Sequence, residues 1–161
     1  MALEELTITH IFNASLDVVW RAWTDPEIFK RWWGPKEFTT PIVKIDLKVG
    51  GKHFNCMQAP DGENFCSIGT YQEIKPEEKL VVTDSFADEN GQIVPSTYYG
   101  LGEGFPMEML LKIYFQEKEG KTELTLRHSN IENISESDLN DMRQGWIESL
   151  EKLDEYLQEN C

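Results

Sequence analysis

The stretch Trp23-Thr24-Asp25-Pro26-Glu27-Ile28-Phe29-Lys30-Arg31-Trp32-Trp33-Gly34-Pro35 sets the architecture of this chain. The Asp25 carboxylate can accept a hydrogen bond from an orphan backbone N–H, which makes Asp25 a helix N-cap. Pro26 suits the first helical position, where a missing N–H costs nothing. Gly34-Pro35 stops the helix after about two turns. Phe29, Trp32 and Trp33 therefore crowd onto one very short element. So much aromatic surface must bury itself against something larger, which points to a fold organised around an apolar groove.

Working outward from that helix, Leu6, Ile8, His10 and Phe12 alternate and predict a strand. Asn13-Ala14-Ser15 breaks it, and Ser15 is placed to cap a short helix carrying Val19, Trp20 and Trp23. Beyond Pro41 the period becomes two: Val43, Ile45, Leu47 and Val49 read as a half-buried strand. Gly50-Gly51 and Pro60-Asp61-Gly62 are turn signals. Further strands are expected around Phe54–Gln58, Phe65–Ile74, Leu80–Phe86, Met109–Phe115 and Thr122–His128. Residues 87–106 form a long connection rich in glycine and aromatics, the composition of a lid or binding loop. Ser135 or Ser137 then caps a helix of some twenty residues, about 30 Å long. Its apolar stripe is Leu139, Met142, Trp146, Leu150, Leu153 and Leu157.

One domain is expected over residues 1–161, with its core in 6–157. The fold class is α+β. A curved antiparallel sheet of about six to seven strands wraps around the long C-terminal helix, and two short helices follow the first strand. The formal net charge of −14 argues against nucleic acid, which needs a basic surface. No apolar run is long enough for a membrane span, and the acidic start does not resemble a signal peptide. A cytoplasmic protein, a monomer or weak homodimer, is the expectation. Cys56 and Cys66 flank a turn and read as small apolar core residues in a reducing compartment rather than as a disulfide.

The ordered set of motifs carries a resemblance. Val19-Trp20 and Trp23, Asp25-Pro26-Glu27, Trp32-Trp33-Gly34-Pro35, Gly50-Gly51 and Pro60-Asp61-Gly62 belong to it, followed by Gly69, Tyr99-Gly100, Gly120-Lys121-Thr122 and Gly145-Trp146. Together they resemble the START-like, or SRPBCC, superfamily with its helix-grip (Bet v-like) fold. Within it the chain is similar to the C-terminal domain of the activator of the ninety-kilodalton heat-shock protein's ATPase. The resemblance implies a cavity for an apolar or amphipathic small molecule. It also implies stimulation of a chaperone ATPase, an activity tied in the eukaryotic activator to a separate N-terminal domain as well.

The chemistry-bearing residues narrow the choices. Gly120-Lys121-Thr122 lacks the earlier glycine of a phosphate loop, since Phe115 stands in its place. His10, His53 and His128 fall on three strands without metal-ligand spacing, so no metal is expected. Ser67 and Ser129 have no nucleophile-elbow setting. Asp84 and His128 share strand sides with apolar neighbours, which makes either a candidate acid/base group for a cyclase or dehydratase. The preferred expectation is a binding module without cofactor. Its cavity would be lined by Trp33, Phe54, Tyr71, Asp84, Tyr99, Leu101, His128, Met142, Trp146 and Leu150, and gated by the 87–106 loop. The alternative partner is a ninety-kilodalton-type chaperone.

Overall fold

A computed structural model describes residues 5–160 of the chain. Strand β1 (Glu5–Phe12) leads into helices α1 (Leu16–Thr24) and α2 (Pro26–Trp32). Strands β2 (Thr39–Ile45), β3 (Lys52–Gln58), β4 (Asn64–Lys75) and β5 (Lys79–Ala87) follow. After a 3-10 turn at Ser96–Tyr99 come β6 (Met109–Lys118), β7 (Lys121–Ser129) and the long helix α3 (Glu136–Asn160). The seven strands form one antiparallel sheet in the order β1-β7-β6-β5-β4-β3-β2. The helix-grip arrangement expected from the sequence is the one observed.

The junction quoted at the outset behaves as its residues dictate. Asp25 ends α1 by donating its N–H to Arg21 O, and starts α2 by accepting from Glu27 N–H at 2.9 Å. Trp32 is fully buried, and its indole N–H donates to Ala22 O at 2.9 Å, which locks α2 against α1. Ser135 caps α3, its Oγ accepting from Asp138 N–H at 3.1 Å. Ser15 does not cap α1. Its hydroxyl donates to Asp17 instead, leaving the first turn without a side-chain cap.

The core lies between α1, α2, α3 and one sheet face. In register, Leu6 stands opposite His128 and Ile8 opposite Leu126, so these side chains share that inner face. From α3, Trp146, Leu150, Leu153 and Leu157 are buried against it, while Leu139 and Met142 are only partly covered. Strands β4 and β5 pair with a register shift between Tyr71 and Glu73. A Cβ at Gly69 would overlap the Thr83 carbonyl, so only glycine allows that approach. Strand β2 stops at Ile45, and Leu47 and Val49 are exposed beyond it rather than continuing its buried side.

The cysteine expectation is corrected. Cys56 and Cys66 are register partners across the β3–β4 hairpin, with Cα atoms 4.0 Å apart, and they form a disulfide. They sit on the outer sheet face in a small cluster with Ala87, Phe54 and Ile68. A direct cross-strand pair brings the two side chains together on one face. Replacing both cysteines by serine is expected to cost about 2–4 kcal/mol of unfolding free energy. A urea titration reads this as a lower midpoint at constant slope; an unchanged midpoint would mean that the crosslink does not constrain the chain.

Candidate functional site

Side chains of a strand alternate between faces, and on β3, β4 and β5 the inner-facing residues run through two cavities in turn. His53 and Asn55, Tyr71 and Ser67, and Val82 and Asp84 line an inner chamber of about 50 Å³. The next inner position on each strand is Met57, Phe65 or Phe86, and these line an outer groove of about 430 Å³. The far wall of the groove is α3, through Met142, Gly145, Trp146 and Ser149. Trp33 borders both cavities. The neck between them thus carries Asn55, Ser67 and Asp84 on the sheet side and Trp33 on the helix side.

The aromatic wall is packed edge to face at Trp146 and stacked at Phe29. The Trp33 ring centroid lies 5.0 Å from that of Trp146 at 80°, and 4.6 Å from Phe29 at 24°. Trp23 lies behind them, 6.1 Å from Trp33. Such contacts fix ring positions better than area burial alone. The turn after Trp33 is held from α3. The Lys152 ammonium donates to the carbonyls of Phe38, Gly34, Pro35 and Trp33 at 3.0 to 3.4 Å. Glu148 accepts from Lys36 N–H at 2.9 Å, and Thr40 Oγ1 donates to Trp33 O at 2.8 Å. Burial lowers the Lys152 pKa, and the Glu148 and Glu155 carboxylates oppose that shift.

A polar chain lies behind the wall. The Trp146 indole N–H, a donor only, meets His128 Nδ1 at 3.2 Å. The His128 hydrogen therefore sits on Nε2, which lies 3.1 Å from Asp84 Oδ2 but off the line of a full hydrogen bond. His53 Nδ1 is 3.0 Å from the Tyr71 hydroxyl. Burial pulls the His53 imidazole down to about 4, against the opposing pull of Asp84. Burial also raises the Tyr71 pKa, so its phenol keeps its proton. Among the described residues no group of three or more His, Cys, Asp or Glu side chains is placed to hold a metal ion.

Of the residues expected in the cavity, Tyr71 and Asp84 reach the chamber, Leu101, Met142 and Trp146 reach the groove, and Trp33 reaches both. Four do not line either. Phe54 packs on the disulfide cluster, across β3 from Asn55. His128 stands behind Trp146, and Leu150 is buried in the core. Tyr99 is used as a strut: its hydroxyl accepts from Cys66 N–H at 3.0 Å and donates to Ala87 O, bridging β4 and β5. Of the connection thought to gate the cavity, Leu101 and Phe105 reach the groove, while Tyr98 is exposed. Reading the sequence missed Asn55, Lys152 and the chamber side of His53. The alternation of β3 held the signal, but its two faces are both partly apolar.

The family model for "Activator of Hsp90 ATPase homolog 1-like protein" matches residues 13–158. The chain belongs to that family. A protein from Arthrobacter aurescens solved in solution is 27% identical, with 98% of this chain and 87% of that one covered and a TM-score of 0.82. Protein Ms6760 from Mycobacterium smegmatis is 25% identical, covering 95% and 90%, with a TM-score of 0.75. The AHSA1 protein from Silicibacter pomeroyi, 20% identical over 98% and 99% with a TM-score of 0.76, shares the fold. No curated protein matches this chain. Among the described residues no helix is long and apolar enough to cross a membrane.

The half-buried His53 imidazole yields a pH prediction. Below an ordinary value of 6.5 the unfolded chain takes up a proton on His53, whereas the folded chain does so only near 4. The contribution of His53 to stability is therefore full above that window and falls as pH drops through it. The unfolding free-energy gap between wild type and His53→Gln should shift against wild type by about 1.4 kcal/mol per pKa unit. Parallel stability profiles for the two proteins from pH 7 to pH 4 would contradict this.

Proposed function

We propose that this chain binds an amphipathic small molecule, with its apolar body in the outer groove and its polar end at the neck. The observation that carries the reading is the groove itself. Its volume of about 430 Å³ lies within the range of small-molecule sites, about 300–1,000 Å³. The inner chamber at about 50 Å³ has room for only a small head group or a few waters. The walls are apolar and adaptable, with Met57 and Met142 joining Phe38, Phe86 and Phe105 in the lining. Each Å² of ligand apolar surface buried there contributes roughly 25 cal/mol.

Gly145 supports the same reading. A Cβ at that position would meet only Pro35 Cγ, at an ordinary 3.7 Å, so packing does not require glycine. Glycine in mid-helix costs about 1 kcal/mol relative to alanine, and here its open side faces the groove. A co-chaperone-like interaction with a ninety-kilodalton chaperone is the second reading, favoured by the family description and by the acidic surface. Stimulation of such a chaperone's ATPase by the purified chain is its test.

Native mass spectrometry of the protein purified from its own host is expected to show a bound molecule of small mass. Gly145→Ala should raise the unfolding free energy by about 1 kcal/mol while lowering occupancy. A clean apo mass for wild type, or a destabilised Gly145→Ala protein, would count against an open binding groove.

A further inference from the structure

The charges around the two cavities and an unpaired acceptor in the chamber bear on the head group; the indole N–H groups of Trp23 and Trp33 in the same lining are also unpaired and suit a ligand acceptor beside it. Resting on the small-ligand reading above, we infer that the site takes a protonated amine carried on an apolar body. The charged residues that line the cavities are carboxylates throughout: Asp84 at the neck, and Asp138 and Asp141 on the α3 side of the groove. No lysine or arginine lines either cavity. His53 adds no cation near neutral pH, since burial lowers its pKa to about 4.

The second observation is independent of charge. Asn55 is 4% exposed, lines the chamber, and its Oδ1 is buried without a hydrogen-bond partner. A buried acceptor left unpaired is costly, and a ligand N–H is the group that would satisfy it. Asp84 is positioned to help. Its Oδ2 faces the Nε2–H of His128, and its side chain keeps 28% exposure, so the carboxylate retains lone pairs for a second donor. Asn55 and Ser67 are register partners, and Asp84 sits one step from Phe86, the register partner of Ser67. The three residues thus lie on adjacent strands of one cavity lining, with Asp84 offset by two residues from the level of Asn55 and Ser67, and an ammonium beside Asp84 would leave the attached chain to extend past Phe86 into the groove.

The test compares decylamine, decanol and decanoate, which share one apolar body, by calorimetric titration of the intact protein below their micellar concentrations. Decylamine is expected to bind most tightly and decanoate most weakly, with the amine favoured over the alcohol by about tenfold or more. In Asp84→Asn that preference should collapse while decanol affinity is kept, which also shows that the variant is folded. In Asp138→Asn/Asp141→Asn the preference should persist, separating the neck from general attraction to an acidic surface. Equal binding of all three probes, or tighter binding of decanoate, would overturn the amine assignment and leave the groove reading standing. Binding of none of them would overturn both.

Discussion

The Lys152 ammonium, set among four backbone carbonyls at the end of α2, is the contact on which the site depends. Helix C-termini present unpaired carbonyl oxygens and a partial negative charge. The carbonyls that Lys152 meets lie at the C-cap, Trp33, and in the turn beyond it, close to that partial negative charge. Lys152 thereby fixes the turn that follows Trp33, and Trp33 is the side chain shared by chamber and groove. The distance between α3 and the sheet at this end is then set by Trp33 against Trp146 rather than by close packing of aliphatic side chains. Further along α3, Leu150, Leu153 and Leu157 are buried against the core. The helix is therefore clamped at its C-terminal half and propped open at its N-terminal half.

The sheet completes the device through register. Because side chains on a strand alternate, a step of two residues along β3, β4 or β5 moves from chamber to groove without changing face. Gly69 lets β4 and β5 approach closely at the chamber, and Tyr99 ties the same two strands near the groove. The connection carrying Leu101 and Phe105 is drawn against the start of α3. A Cβ at Gly104 would overlap the Asn133 carbonyl, so this approach also requires glycine. It is an anchored wall, pinned again by the Ser96 hydroxyl on Gly102 O at 2.6 Å.

Much of this was legible in the residues. The Asp25-Pro26 start and Gly34 stop of α2, the inner face of β1 and β7, and the α3 stripe all follow from capping and periodicity, which are local rules. The expectations that failed depended on what lies across a strand. Phe54 and Cys56 look like inward residues, yet a second small cluster covers the outer face of β3 and β4. Apolar side chains on both faces erase the alternation, so His53 and Asn55 were not recognised as chamber residues. Leu150 has the right helical phase but lies too deep, and Tyr99 is spent on backbone hydrogen bonds. Lys152 carries no local signal at all, because its role exists only once α2 ends beside α3.

The central claim is that Trp33 and Trp146 border an accessible ligand space. The most direct measurement is a titration of the nitrogen-15-labelled protein with decylamine, following the five tryptophan indole N–H signals by NMR. The account predicts saturable shifts for Trp33 and Trp146, with Trp20, which packs against Phe115, staying in place. Indole signals that do not move, or that all move together, would contradict it.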